Sequence, residues 1–594
     1  MKLIVPHMGE LQPADARLVR LAQFLGISCE PIHLDMQVQQ RAQHIEKKAP
    51  DKNSCLIINP QVLREWVGGD VPPVELLSFI VSHFRYVLVH ALTLDSFVAH
   101  LVAALSGGRL RSVQPIADTG QPYQMSPDSK DFCGPFSGLS FGPINAANDH
   151  VLTGSTDDPT VRGLIWIGGQ PLMAAVKRDK TKILFLASED TADVNNEVGQ
   201  APLSDYFSRL IPQAMALRHI FGEECWQPCE HHASIVIDDP LLRRDYGYLN
   251  FETLLHLMER NNFHTTIAFI PHNYRRNSAR IVRMFRENPN RFAICFHGND
   301  HTRSEFASTD TAQINTMLAI AEKRMKMHEQ TTGLHCDRVM VFPQGAFSVE
   351  AMEVLKSRNF HAAVNTVRHP MGQPVPLTIA DLAQPAVLRY GGFPLFLRTS
   401  IKGTKSQDVA FNLFFGRPVL IVEHHDVFRR AESLAEMALT INSIAPEIHW
   451  SNLEGAVMNS VLRRRTQAGI LNIRAYSHVV KITNNRDTVE RFSVEWGCSG
   501  QCPPIDQVLQ DGMPYQSFEV DDSGIRLSVD LAPGNSRRLS VIFRNDFASF
   551  PSLGFQWNAK AFLRRRLSEV RDDYVSKNQH LLTLARTLQR RLLN

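Results

Sequence analysis

Two short apolar runs frame this chain. Ser234-Ile235-Val236-Ile237 leads into Asp238-Asp239, and Phe292-Ala293-Ile294-Cys295-Phe296 leads into His297-Gly298-Asn299-Asp300-His301. Between them lie another strand-like run, Thr265–Ile270, and two stretches with helical spacing, Asn250–Asn261 and Ser278–Arg286. Strands joined through helices pair in parallel. Two carboxylates and two imidazoles then sit just past the C-terminal ends of two parallel strands, the edge where open α/β sheets and barrels hold their chemistry. One carboxylate with two imidazoles suits a hard or borderline divalent cation and leaves positions open for water and substrate.

The same rhythm continues. Val339–Phe342, Ala362–Asn365, Leu395–Thr399 and Val419–Glu423 read as strands. Thr311–His328, Val349–Ser357, Arg430–Ile444 and a segment near Asn452–Arg463 read as helices. Roughly seven strands in about 240 residues is the size of a distorted (β/α) barrel, placed at residues 223–466.

With 594 residues the chain exceeds one core, so other domains flank the barrel. Residues 1–222 alternate strands (Lys2–Val5, Cys55–Ile58, Tyr86–His90) with helices (Ala14–Leu25, Gln61–Val67, Leu94–Leu105), the pattern of an N-terminal α/β, flavodoxin-like domain. Residues 117–162, rich in Gly, Pro, Ser, Asn and Asp, read as a long loop or insertion. No Gly-rich phosphate loop follows any strand here, so this part reads as a scaffold or docking domain. Past Gly469 the period falls to two, giving a β-sandwich over 467–548. A C-terminal amphipathic helix follows over 549–594, with Leu563, Leu567, Val570, Tyr574, Leu581, Ala585, Leu588 and Leu592 in one stripe. That stripe suits docking, homo-oligomer formation, or peripheral contact with an anionic membrane.

The formal charge of +3 gives no case for nucleic acid, and from Lys560 onward nine Lys or Arg stand against three Asp or Glu, so the basic character is local. Nine cysteines in scattered positions fit reduced thiols. Cys225/Cys229 and Cys498/Cys502 lack the spacing and partners of a zinc knuckle. The opening Met1-Lys2-Leu3-Ile4-Val5-Pro6-His7 reads as a first strand rather than a leader, and Leu76–Leu105 is too interrupted by His, Arg and Asp to span a membrane. The expectation is a cytoplasmic protein with no transmembrane segment.

Four motifs carry a family resemblance. Val236-Ile237-Asp238-Asp239-Pro240, His297-Gly298-Asn299-Asp300-His301, Val341-Phe342-Pro343-Gln344-Gly345 and Val419-Leu420-Ile421-Val422-Glu423-His424-His425-Asp426 occur in this order over residues 225–465. In that order they resemble the motifs of the polysaccharide deacetylase (NodB-homology) family of metal-dependent carbohydrate esterases. The resemblance implies that Asp239, His297 and His301 hold a divalent metal, with Zn²⁺ favoured, and that Asp238 is the base on the water the metal activates. It implies an imidazole acid, His425 with His424 in reserve, and an oxyanion contact from the backbone of Gln344. Two departures stand out: Val341 replaces the motif arginine, and Pro240 the motif glycine. Arg398, at the end of another strand, is the candidate stand-in for that arginine. His272 and Asn365 also end strands on the same rim and are candidate substrate contacts, whereas His231 and His232 precede a strand and belong to the opposite rim.

The sequence thus predicts a metal-dependent hydrolase of a carbon–nitrogen, non-peptide bond, removing an N-acetyl or other N-acyl group from a sugar or oligosaccharide. A nucleotide-linked, lipid-linked or free amino sugar suits a chain read as lacking an export signal. The rivals are another amide or glycosidic hydrolase on the same barrel, and a non-catalytic, metal-containing glycan-binding scaffold.

Overall fold

The computed structural model describes residues 1–575 and 577, except 37, 50–52, 156, 157, 303, 373, 374, 498–503, 522, 523, 548–554 and 576. The chain divides into two compact units. One holds residues 1–227, 376–383 and 463–471; the other holds 228–375, 384–462 and 472–594. Cys498, Cys502 and the stripe positions from Leu581 onward lie outside the described residues.

In the first unit Cys29–His33, Leu3–His7, Cys55–Ile58, Tyr86–Val89 and Thr181–Leu186 line up side by side, every neighbour parallel. With Thr181–Leu186 as the fifth strand this is the flavodoxin-like order, two-one-three-four-five. The sheet then continues antiparallel through Gln170–Arg178, Val161–Ile167, Tyr123–Met125 and Ser140–Phe141. Residues 117–162 are therefore not one long loop. Their strands of two to five residues are too short to show an alternation, yet Tyr123, Phe136 and Phe141 are buried and anchor them. At the C-terminal ends of the parallel strands, buried Asp15 accepts from Asn59 Nδ2 at 3.1 Å and lies 2.8 Å from His90 Nε2, tying a helix to two strand ends.

The second unit contains the barrel. Its strands are β1 (His232–Asp238), β2 (Thr265–Phe269), β3 (Phe292–His297), β4 (Cys336–Val341), β5 (Ala362–Asn365), β6 (Leu395–Leu397), β7 (Thr399–Ser400) and β8 (Val419–Glu423). The sheet order is β6-β5-β4-β3-β2-β1-β8-β7, parallel throughout. β6 and β7 are two halves of one segment interrupted only at Arg398, whose N–H donates to Asn365 O at 3.0 Å. β6 pairs with β5 and β7 with β8, so the sheet closes into a ring through that residue.

The strands read as continuous apolar runs because both of their faces are covered: Ile235, Val236, Ile237, Ile267, Ala268, Cys295, Met340 and Ile421 have no exposed surface. Helices Phe251–Asn261, Ala279–Glu287, Thr311–Thr332, Val349–Ser357, Ser406–Phe414 and Glu432–Ile444 lie between or after the strands in sequence. The segment near Asn452–Arg463 is shorter than its apolar pattern suggests. A helix covers Leu453–Asn459, and Leu462–Arg465 is a strand.

Two antiparallel sheets follow, as the period-two pattern predicts. Val479–Thr483, Ser536–Phe543, Ile505–Gln510 and Met513–Pro514 form one; Glu490–Gly497, Gly524–Leu531 and Phe518–Asp521 lie together in the other. The terminal helix, Phe555–Val570, ends in a wide turn at Arg571–Val575. Leu563, Leu567, Val570 and Tyr574 of the expected stripe are 50–70% exposed. The helix is anchored by its polar side chains instead. Glu569 pairs with both terminal nitrogens of Arg276, and Asp573 accepts from the Gly247 N–H at 2.8 Å. Among the described residues, no helix is long and apolar enough to cross a membrane.

Because β3 sits at the centre of the barrel sheet, truncating Ile294, 1% exposed, is predicted to cost about 2–5 kcal/mol. Calorimetry of Ile294→Ala should show a lowered melting temperature for the transition that reports this unit.

Candidate active site

Several strand ends at one mouth of the barrel carry polar residues: Asp238 of β1, His297 of β3, Asn365 of β5, Ser400 of β7 and Glu423 of β8. β1 ends at Asp238, fully extended, and the chain then turns sharply: Asp239 has φ of +80°. Neighbours in a strand point to opposite sides, and this turn lets both carboxylates enter the mouth. The loop after β3 bends in the same way, with positive φ at Gly298 (+64°) and His301 (+54°).

Glu305 fixes that second bend. Its buried carboxylate accepts from the backbone N–H groups of Asn299 (2.9 Å), Asp300 (3.2 Å), His301 (3.2 Å) and Thr302 (3.3 Å). A Cβ on Gly298 would lie 2.0 Å from Glu305 Oε1, so only glycine fits there. Asp300 is held from outside by Arg324 (2.5 Å) and by His272 Nδ1 (3.1 Å).

Asp239, His297 and His301 converge. Asp239 Oδ1 is 3.1 Å from His301 Nε2 and 3.5 Å from His297 Nε2, and donor atoms of all three lie within 4.8 Å of one another. His297 Nδ1 lies 3.0 Å from Val341 O, so it donates there and leaves Nε2 facing Asp239. Asp239 Oδ1 is buried and has no hydrogen-bond partner among the described residues. An orphaned carboxylate oxygen facing two imidazoles is the donor set of a divalent cation site, and the residues fit one.

Beside it, Asp238 and Arg398 form a buried, two-pronged ion pair, Nη1 to Oδ1 at 2.7 Å and Nη2 to Oδ2 at 2.6 Å, each partner 4% exposed. Burial raises the Asp238 carboxyl, but Arg398 and then His297 outweigh it and hold it below the usual range. Asp239 is held well below that range, against burial, by His301 and His297. The imidazoles divide: burial takes His301 down to about 4, while for His297 the charges of Asp238 and Asp239 overcome burial and raise it.

A cavity of about 620 Å³ opens over these groups. Gln344, His424 and Arg398 line it with Asp238, Asp239, His297 and His301, and the terminal helix adds Arg564, Arg565, Ser568 and Arg571. Gln344, at φ +58°, sits in the turn Pro343–Gly345 beyond β4. Arg565 Nη2 lies 3.4 Å from His301 Nδ1.

The two candidate acids separate. His424 is exposed and lines this cavity, and its charge is among those that lower Asp238. His425 is 9% exposed and lines an adjoining cavity of about 820 Å³ with Asp239, His424 and Asp572; its Nε2 is 3.5 Å from Asp572 Oδ1 and its ring edge-on to Tyr246. Tyr246 in turn donates its hydroxyl to Asp572 Oδ2 at 2.7 Å. His272 and Asn365 are not among the cavity's lining residues. Asn365 is fully buried and gives its amide to Gly345 O (2.9 Å) and Val367 O (3.0 Å), bracing the loop that carries Gln344.

Sequence reasoning missed Glu305 and the terminal-helix residues. The first had a local signal, a carboxylate four residues past the second imidazole. Arg565 and Asp572 had none, since nothing near residue 570 points to a strand end some 330 residues earlier.

No protein-family model matches the chain, and no curated protein matches it. Among solved structures it is similar to Agd3, described as a novel carbohydrate deacetylase: 8% identity, 91% of this chain and 98% of that chain, TM-score 0.46. It is similar over 38% of its length to 94% of a family 4 carbohydrate esterase from Streptomyces lividans in complex with acetate, at 12% identity and TM-score 0.23. A family 4 carbohydrate esterase from Bacillus anthracis is also similar, at 12% identity, 39% of this chain, 84% of that chain and TM-score 0.25. The likeness is one of fold, and the functional reading rests on the site.

Two predictions follow from this geometry. Arg398→Ala leaves a buried, unpaired carboxylate and should cost about 3–5 kcal/mol at neutral pH. Because Asp238 is depressed in the fold, its contribution is present above the unfolded value of about 3.9 and is lost as the pH falls through the folded value. Urea unfolding at pH 7 and at pH 3 should therefore show the penalty of Arg398→Ala shrinking in acid. Gly298→Ala should displace Glu305 from four N–H groups and weaken metal binding by tenfold or more, measured by zinc titration of the purified variant.

Proposed function

We propose that this chain removes an N-acetyl group from an amino sugar by metal-dependent hydrolysis. The observation that carries the reading is the joint placement of Asp239, His297 and His301 around one point, next to the buried Asp238–Arg398 pair, in a single cavity. Asp239, His297 and His301 would hold the cation. A divalent cation there would supply Lewis acidity and a water that ionises near neutral pH.

The chain's own groups do the rest. Asp238, ionised and held by two charge-assisted hydrogen bonds, takes a proton from the attacking water. The water oxygen bonds to the acyl carbon, and the carbonyl oxygen gains charge beside the Gln344 turn, whose backbone N–H is the candidate donor. The C–N bond then breaks. The amine leaves with a proton from an imidazole, and acetate remains. His424 is the better placed donor, since it shares the cavity with Asp238, whereas the ring of His425 is engaged toward Asp572 and Tyr246.

Arg398 bears on the rival reading of a non-catalytic scaffold. The motif arginine is absent, with Val341 in its place, but a guanidinium reaches Asp238 from a different strand and orients both of its oxygens. That arrangement favours an enzyme over a relic.

Acetate release from N-acetylated amino sugars by the zinc-loaded chain is the test. Asp238→Asn should lower kcat by at least a thousandfold with zinc content unchanged. Acetate release that survives this substitution would overturn the role of Asp238, and release of reducing ends or ammonia in place of acetate would overturn the reaction. His424→Ala should lower kcat about a hundredfold or more, while His425→Ala leaves it within a few-fold of wild type; the opposite pattern assigns the acid to His425.

A further inference from the structure

The opposite rim of the barrel carries a second set of cation-ligating side chains. His335 and Asp337 flank Cys336 at the start of β4, His361 immediately precedes β5, and Glu454 lies in the first turn of the helix Leu453–Asn459. From Asp337 to the mouth end of β4 is a run of strand roughly 13 Å long, at ~3.3 Å per residue. The two clusters do not overlap.

Donor atoms of His335, Asp337 and Glu454 all lie within 4.8 Å of one another. Glu454 Oε2 is 3.4 Å from His335 Nε2, and Glu454 Oε1 is 3.4 Å from His361 Nδ1. Asp337 is 1% and Glu454 5% exposed, so two carboxyl groups are buried side by side, and burial with the charge of Glu454 pushes Asp337 up to about 7. Asn452 Nδ2 (2.7 Å) and the Glu454 N–H (3.2 Å) donate to Asp337, and Arg538, half exposed, donates to Glu454 Oε1 at 3.0 Å.

Two details point to an ion and not merely to a polar knot. Glu329 Oε1 lies 3.2 Å from His335 Nδ1. Nε2 is hydrogen-bonded to Glu454, and the contact with Glu454 raises the His335 imidazole, so both ring nitrogens are aimed at carboxylates. A carboxylate behind Nδ1 is also the support that metal-bound histidines receive. Independently, His361 is 7% exposed, and its Nδ1 is buried without a hydrogen-bond partner among the described residues.

We propose that His335, Asp337, His361 and Glu454 form a second divalent-cation site, structural in role and suited to Zn²⁺. His335, Asp337 and Glu454 share one cluster of donor atoms, and His361, 3.4 Å from Glu454, stands beside it as the fourth donor that Zn²⁺ takes in a structural site. Such an ion would tie the starts of β4 and β5 to a helix more than ninety residues later. The N-terminal rim of a (β/α) barrel is where stability is held, which matches a structural role.

Metal stoichiometry tests this. The full chain, stripped with a chelator, reloaded with Zn²⁺ and freed of unbound metal, should carry two zinc ions per wild-type chain by elemental analysis. His297→Ala/His301→Ala should carry one, and so should His335→Ala/Glu454→Gln. His335 is 70% exposed on its side chain, so His335→Ala folds even if Glu454→Gln does not, and alone should weaken the second zinc at least tenfold. In the His297→Ala/His301→Ala background, Zn²⁺ should still raise the melting temperature, and adding His335→Ala should remove that rise. One zinc per wild-type chain, lost with His297→Ala/His301→Ala, would sink the proposal. So would a second zinc whose affinity His335→Ala leaves unchanged. Acetate release reports on the other mouth and bears on neither outcome.

Discussion

The structure depends on one ion pair. Asp238 ends the first barrel strand, Arg398 is the single residue at which the ring of strands closes, and their two-pronged contact joins the beginning of the barrel to its seam. Such a pair is weak evidence for stability as such, because taking both charges out of water offsets most of their attraction. Its value is orientation. Two parallel N–H···O contacts hold the carboxylate in one orientation. Strand closure and the proposed proton transfer are thereby tied to the same two side chains.

The barrel was legible in the chain because its strands are buried on both faces and so read as uninterrupted apolar runs, with helical spacing between them. The converging trio was legible for the same reason: Asp239, His297 and His301 stand at the ends of such runs. Arg398 was visible only as an arginine at a strand end, and nothing in its neighbourhood said that the strand breaks there to close a ring. The division between His424 and His425 was partly legible. Alternation says that one faces inward, but which one depends on where β8 ends, and strand ends are set by packing more than by local pattern. The short strands of residues 117–162 escaped notice because a pairing of two or three residues leaves no periodic trace.

The terminal helix shows the limit more sharply. Its apolar stripe promised a docking face, yet the face that docks is charged. Arg565, Glu569, Asp572 and Asp573 meet His301, Arg276, Tyr246 and Gly247. Apolar periodicity predicts burial only where the partner surface is also apolar, and a barrel mouth crowded with carboxylates and imidazoles is not. Charge complementarity decided the contact, and sequence spacing carries little information about charge partners 264 and 293 residues away.

That remote wall has a consequence for how the molecule comes into being. The strands that supply Asp238, Asp239 and the imidazoles leave the ribosome long before Arg565 and Asp572 do. A nascent chain can close its ring while one side of the chamber above it is still missing, and a chain stopped upstream of residue 564 would keep that flank open.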